Sequence, residues 1–490
     1  MGKNWSENAS TYGAIFNLNS IDSLSQRKNN KHMEIIQKIL GNITSWRKWT
    51  KGSINRQIFT ATILIGLLTG LSKFASVGKE LIVAWRFGTG DELDSFVMAM
   101  VVPSFVISVV AGSFSSALIP TYIKVREQQG QKAAQQLFSG IMTRAIGLLI
   151  VTAIAIAITA PIYLPLLASG FSSEKLDLTT RLLWSLSPSI LLSGIINIWG
   201  GVLNAGEKFA LAAVSPIITP LTTAAMLLAF PSWGIYALVG GLICGSLIEM
   251  IILGIGLLQQ GVSVRPQWSK QDANLNLVIK QYFPVIIGAF LMCSTGLVDQ
   301  SMAAMLSPGS VAALGYANRV IALPLTLVTL ALGTAVVPYF SQTIAKRDWR
   351  KISHTFNYYL RLIFMTTIPL TIFFILASKL IVQLLFERGS FNAEDTQVVS
   401  QIQVFYALQI PFYISAIFVV KLINSLSINH FLAWGSAINL VANIIGNYIF
   451  VQWIGVAGIA LSTSCVYLIS FVFLYILTKK HLQKISLENS

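Results

Sequence analysis

The sequence predicts an all-α polytopic membrane protein, with about twelve transmembrane helices in two parallel six-helix repeats around a central cavity. Three observations carry this. Of 490 residues, 54% are hydrophobic and 11% charged, with a mean hydropathy of +0.69; soluble domains run near 25% charged. The apolar residues gather into long runs, not the short alternating ones of a soluble core. Motifs of the first half also recur in the second. A soluble globular protein is thereby excluded. With Cys at only three positions, so is a disulfide-stapled secreted scaffold.

The chain opens with a polar, Asn- and Ser-rich segment, residues 1–55, with nine basic residues if Arg56 is included. It carries no cleavable signal pattern, because the first apolar run follows dozens of polar residues and continues as a full span. Ile35, Ile36, Ile39, Leu40, Ile43 and Trp46 recur at near-helical spacing among Lys and Arg. That pattern fits an interfacial helix on an anionic leaflet, and a disordered basic tail fits equally well. Twelve apolar stretches follow, at 57–86, 93–121, 137–160, 180–204, 211–230, 233–258, 277–305, 311–341, 356–378, 397–424, 430–453 and 456–478. At roughly 30–35 residues per span and loop, the length accommodates that number. The expected organisation is a cytoplasmic tail (1–55), a first six-helix half (56–260), a second (261–480) and a short cytoplasmic tail (481–490).

The net charge of +15 would suggest nucleic acid in a soluble protein. Here its placement is topological. With alternate loops on alternate sides, 25 of the 34 basic residues fall on the side of both termini. Only five, Arg86, Lys175, Arg181, Lys379 and Arg388, fall opposite. The positive-inside rule then puts both termini in the cytoplasm of a cell (inner) membrane protein, and no nucleic-acid partner is needed.

The halves resemble each other at a nearly constant offset. Ala117-Leu-Ile-Pro120 matches Ala335-Val-Val-Pro338 at 218 residues. Phe171 with Glu174 matches Phe391 with Glu394 at 220, and Asn204 matches Asn424 at 220. Six spans per unit leave both halves the same way up. Parallel repeats of this kind build transporters with a site between the halves near the midplane.

Ionisable groups inside spans are costly, roughly 2.5–3.5 kcal/mol each on insertion scales, and so face a cavity or a partner. Span 1 carries Lys73, Lys79 and Glu80, span 7 carries Asp299, and span 8 carries Arg319. One arrangement is a set of structural pairs, Lys79–Glu80 and Asp299–Arg319. The other is a functional cavity: the three bases outnumber the two acids, and a net cationic site at mid-membrane suits an anion, phosphate above all. Arg144, near the start of span 3, can snorkel to the inner surface, as can Glu249 of span 6 if it lies near an end. Cys244, Cys293 and Cys465 are isolated, and the four His lack metal-ligand spacing. No Walker A motif is present, so the sequence predicts no enzyme and no cofactor. Driving force is expected from membrane potential, an ion gradient or downhill flow.

Ser72-Lys73-Phe-Ala-Ser-Val-Gly-Lys79-Glu80, then Phe87-Gly88-Thr-Gly90 and Leu93-Asp94-Ser-Phe96, resembles the opening of the MurJ/MviN family of the MOP flippase superfamily. So do Gly112-Ser-Phe-Ser-Ser-Ala-Leu-Ile-Pro120, Tyr316-Ala-Asn-Arg319, and Leu385-Phe-Glu-Arg-Gly389-Ser-Phe391. The resemblance covers most of residues 57–480. It implies a flippase that moves a polyprenyl-diphosphate-linked glycan from the inner to the outer leaflet. Lys73, Lys79 and Arg319 would line a cationic cavity for the diphosphate, with Glu80 at the family's acidic position and Asp299 as a second charge partner or gating residue. A lateral opening between spans 1 and 8 is implied by the same analogy.

The chain departs from the family in three ways. The first two bases are Lys in place of Arg, a point charge in place of a planar fork. The segment Ser104–Gly112 lacks the family's basic pair and has Ala111 at an acidic position. Twelve spans are read where characterised members have two more. The implied cargo is lipid II or a related lipid-linked oligosaccharide of peptidoglycan or exopolysaccharide synthesis, with enzymes of that synthesis as possible partners. Two alternatives stand beside it: a cation-coupled multidrug-type exporter of the same superfamily, and a non-transporting membrane scaffold for glycan synthesis.

Overall fold

The computed structural model describes residues 54–206, 209–266, 273–345, 348–426 and 428–488. The expected interfacial helix or tail within residues 1–53 lies outside them. Contacts group the chain into two units, Met1–Ile63 and Leu64–Ser490. Of the first, the described part is the opening of one helix. The second is an all-α assembly.

We number the helices α1 Ile54–Phe87, α2 Asp91–Gln129, α3 Gln131–Leu167, α4 Ser173–Ala205, α5 Phe209–Ala229, α6 Ile235–Gln259, α7 Ala273–Ala304 and α8 Ser310–Ala345. Beyond them come α9 Trp349–Leu376, α10 Ser378–Phe386, α11 Ala393–Ala407, α12 Ile410–Ser425, α13 His430–Ile454 and α14 Ala457–Glu488. Each of the twelve predicted stretches falls on a helix. Among the described residues, ten helices are long and apolar enough to cross a membrane, eleven if the pair α11–α12, bent by 43°, forms one span. The remaining predicted span is α1, whose 34 residues reach about 50 Å. Pro411, at the start of α12, accounts for the break, since proline lacks an amide to continue the ladder. The short helix α10 falls where the hydropathy profile shows only a loop. Within α2, Ile107–Ala111 forms a single π turn, in the segment where the family's charge pair is missing.

Burial follows a lipid-solvated pattern. On α3, Ile154, Ile158, Ile162 and Leu166 form an outward stripe, each more than half exposed, while Leu149, Ile156, Ala160 and Leu164 are buried. An exposed aliphatic stripe is stable only where the solvent is hydrocarbon. Close helix approach uses small residues. On α6, a Cβ at Gly241 or Gly245 would come within 2.5 and 2.7 Å of the Thr223 and Thr219 Cα atoms, so this Gly-x-x-x-Gly face seats directly on the α5 backbone.

The same packing order recurs in each half. α5 lies on α6, α4 on α6, α2 on α4 and α3 on α4. Correspondingly, α13 lies on α14, α11–α12 on α14, α8 on α11–α12 and α9 on α12. Even the helix caps repeat. Ser172 caps α4, and Asn392, 220 residues later, caps α11 with a full capping box closed by Asp395. Contacts of α2 with α7 and α8 join the two sets.

Candidate functional site

The predicted charges separate into two groups. Glu80 on α1 is 9% exposed and carries two bases, Lys79 Nζ at 2.5 Å and Arg319 Nη1 of α8 at 2.9 Å. The Arg319 guanidinium also lies 5.7 Å from the centroid of the Tyr316 ring. One carboxylate against two cations leaves this cluster net positive, and the Arg319 side chain keeps 38% of its surface accessible. Lys73 is exposed two turns away. It lines a crevice between α1 and α8 with Gly70, Phe74, Leu323, Thr326 and Leu327. The three bases assigned to the cavity therefore all lie where α1 faces α8.

Asp299 does not join them, so the Asp299–Arg319 pair, one of the two arrangements left open by the sequence, does not form. It turns into the second half and accepts from Asn443 Nδ2 at 2.9 Å, Asn447 Nδ2 at 2.7 Å and Thr463 Oγ1 at 3.3 Å. Asp299, Asn443 and Thr463, from α7, α13 and α14, border a cavity of about 450 Å³ that Tyr406, Tyr413 and Tyr467 also line. The reason is geometric: residue 299 lies within the packed α7–α13–α14 set, whereas Arg319 faces α1. Glu249 does not reach the surface: it is 6% exposed and accepts from Thr219 Oγ1 at 2.8 Å. Arg144 donates to the Gly140 carbonyl, one turn nearer the start of α3, at 3.0 Å.

A third constellation had no assigned role in the sequence. At the end of the bundle opposite the C-terminus, which we term the far end, Asp94 of α2 is 1% exposed. It accepts the amides of Gly309 and Ala312, at 2.7 and 2.8 Å, at the start of α8. A helix N-terminus presents unpaired amides and partial positive charge, and here a carboxylate from another helix satisfies both. Lys175, 8% exposed, neutralises it at 2.8 Å, reaches Asp91 at 2.5 Å, and lies 4.1 Å from the Phe171 ring centroid.

Beside this knot the Phe-Glu-Arg-Gly-Ser-Phe segment clasps the end of α1. Ser390 donates its amide to Trp85 O at 2.8 Å and its hydroxyl to Arg86 O at 2.9 Å; Thr89 donates to Asp395, and Tyr316 to Gly88 O at 3.2 Å. Arg86 holds the carbonyls of Leu227 and Pro231. Glycine is required at two points. Gly309 has φ +84° and a Cβ there would lie 2.6 Å from Thr89 O; Gly88 has φ +53° and lies against Ser390 O. Most of these bonds join residues 85–94 and 175 to residues 309–316 and 390–395, so they seal the far end between the two packed sets. The ion-pair cluster sits below this seal, by about 10 Å along α8 from Ala312 to Arg319.

In the sequence Arg86 and Lys175 read only as loop charges. The available signal was the motif itself: Asp94, Tyr316 and the Gly389 segment all stand in the stretches that carry the family resemblance.

A family model described as "Lipid II flippase MurJ" matches residues 83–489. The match begins just after Lys79 and Glu80 and includes Asp94, Lys175, Asp299 and Arg319. The probable lipid II flippase MurJ of Synechocystis sp. is 25% identical over 447 residues, covering 88% of this chain and 83% of the relative. The lipid II flippase MurJ of Burkholderia cenocepacia is 24% identical over 423 residues, covering 83% and 80%. Among solved structures, a lipid II flippase MurJ in an inward closed conformation is similar with a TM-score of 0.75, at 24% identity, over 87% of this chain and 90% of that one. An inward-facing MATE family multidrug resistance transporter of the MOP superfamily reaches 0.73 at 12% identity, over 88% and 99%. These two likenesses establish the fold. The family match extends over most of the chain, and the protein belongs to the lipid II flippase MurJ family.

Proposed function

We propose that this protein flips a polyprenyl-diphosphate-linked glycan, lipid II or a related lipid-linked oligosaccharide, by alternating access between two six-helix halves. The observation that carries the reading is one buried carboxylate, Glu80, holding a base from each half, Lys79 and Arg319, beneath a sealed far end in a chain of this family. With 25 basic residues on the side of the termini, that side is the cytoplasm, and the sealed end faces outward. The sealed state is then the one that admits substrate from inside.

In this mechanism the diphosphate displaces Glu80 from Lys79 and Arg319. Arg319 offers a planar fork, and Lys79 and Lys73 offer point charges on a flexible stem. The sugar head occupies a water-filled cleft between the two halves, open to the cytoplasm in this reading, and the polyprenyl tail stays in lipid beside the α1–α8 crevice at Lys73. Opening of the far end requires release of Asp94 from the start of α8. Glu80 re-pairs with the vacated bases as substrate leaves, which resets the cluster. Asp299, engaged with neutral donors elsewhere, takes no part in that exchange; if an ion or voltage gradient drives the cycle, it acts on this charge in the second half.

Complementation of a strain depleted of its lipid II flippase tests the cargo. Growth restored by this chain is the expected result for lipid II. Failure, together with accumulation of another inner-leaflet glycan lipid in the native knockout, would move the assignment to that lipid.

A further inference from the structure

We propose a structural site for an anionic phospholipid headgroup between α9 and α14, separate from the transport cleft. A cavity of about 610 Å³ opens there on the bundle surface, lined by Asn357, Arg361 and Phe364 of α9 and by Phe471, Tyr475 and Lys479 of α14. Its composition is divided. Phe364 and Phe471 pack edge to face at 5.6 Å between centroids, and Phe471 and Tyr475 lie 5.8 Å apart, forming an aromatic floor. The polar rim is Asn357 with the two cations.

The positions of these cations fix the depth of the site. Arg361 is the last charged residue before the uncharged run 362–376 of α9. Lys479 is the first charged residue after 457–478 of α14. Both therefore stand at the boundary between hydrocarbon and headgroups, on the side of the C-terminus, on two adjacent helices. Both are exposed, and among the described residues neither pairs with a carboxylate. Lys479 Nζ instead lies 5.7 Å from the Tyr475 ring centroid.

Two unpaired cations over an apolar floor match a phosphodiester with its acyl chains. Arg361 can take two phosphate oxygens in its fork, Lys479 a third contact, Asn357 a glycerol hydroxyl, and the aromatic floor an acyl chain. Cations that merely snorkel attract anionic lipid only diffusely, so the preference would then depend on this pair no more than on other bases at the same end of the bundle.

The test uses the purified full chain in detergent, titrated with dioleoylphosphatidylglycerol and with dioleoylphosphatidylcholine, with bound lipid counted by native mass spectrometry. At about 1 kcal/mol per base, the wild type should prefer phosphatidylglycerol by about 10- to 30-fold. Arg361→Gln with Lys479→Gln should abolish the preference, while Lys124→Gln with Lys132→Gln, at the same end of the bundle, should keep it. If the double variant does not fold, Lys479→Gln alone should lower the preference and Arg361→Lys should largely keep it. Equal binding of the two lipids by wild type, an equal loss in the Lys124/Lys132 control, or displacement of the lipid by excess inorganic phosphate would overturn the proposal.

Discussion

Asp94 accepts the backbone amide of Ala312 at 2.8 Å, and the two residues stand 218 positions apart, the same offset that relates Pro120 to Pro338. Equivalent points of the two repeats thus meet at the far end, where the start of α2 binds the start of α8. A single carboxylate serves as a cap for a helix of the other half. Its counter-ion, Lys175, comes from the start of α4.

Removing that carboxylate leaves two helix-terminal amides without their partner and the buried Lys175 with Asp91 alone. Breaking a buried charged pair in this way costs about 3–5 kcal/mol. Asp94→Ala should therefore open the far end. The check is modification of a cysteine at Gly315, whose Cβ would lie 3.7 Å from Arg319 Nη1, by an impermeant thiol reagent added from that side. With Cys244, Cys293 and Cys465 replaced, the labelling rate should rise at least about tenfold over the chain that retains Asp94. An unchanged rate would mean that Asp94 does not hold the seal.

Gly309→Ala tests the same seal by sterics. The position has φ +84°, and the added methyl would lie 2.6 Å from the Thr89 carbonyl. Strain of this kind costs about 1–3 kcal/mol. The thermal unfolding midpoint of the purified protein should fall by a few degrees, while Gly130→Ala, at φ +85° with nothing near its Cβ, should show a smaller drop. Equal losses would assign the effect to backbone conformation alone.

In the proposed mechanism Glu80→Gln removes the acid that competes with substrate for Lys79 and Arg319. Binding of a short-chain polyprenyl diphosphate should tighten by about tenfold, and outward delivery should slow, because nothing re-pairs the bases on release. Weaker binding would indicate that Glu80 orients the bases more than it competes for them.

Asp299→Asn separates the second acid from the first. Its partners are Asn443, Asn447 and Thr463, remote from Arg319. Diphosphate binding should stay within about twofold of wild type. Dependence of transport on an imposed membrane potential or ion gradient should be lost. Impaired binding would join the two charge clusters into one site.

The spans were legible in the sequence because the bilayer demands about twenty apolar residues per helix, and each predicted stretch lies on a helix. The repeat was legible because Pro120 and Pro338, or Phe171 and Phe391, sit at one offset. Helix α10 was hidden because its nine residues are too short for a span and begin beside Lys379. The bend between α11 and α12 had a visible signal in Pro411 that hydropathy alone does not weigh. Lys79, Glu80 and Arg319 were found because charges inside apolar runs stand out. Lys175 and Arg86 were not, since a charge at a helix end looks the same whether it faces water or, as here, a buried carboxylate (Lys175) or main-chain carbonyls (Arg86). Only the tertiary contacts of these helix ends distinguish the cases. Asp299 stood out as a charge inside a span, but its partners Asn443, Asn447 and Thr463 did not, because one-dimensional spacing does not tell which neighbour a helix face meets.

The central claim is that Lys79 and Arg319 hold the diphosphate of a lipid-linked glycan during flipping. The most direct measurement is outer-leaflet accessibility of the glycan lipid in cells whose only copy of the protein is Lys79→Gln with Arg319→Gln. The account predicts a loss of at least about tenfold with normal membrane abundance, as expected when two charge-assisted contacts are removed. Full retention of accessibility would contradict it.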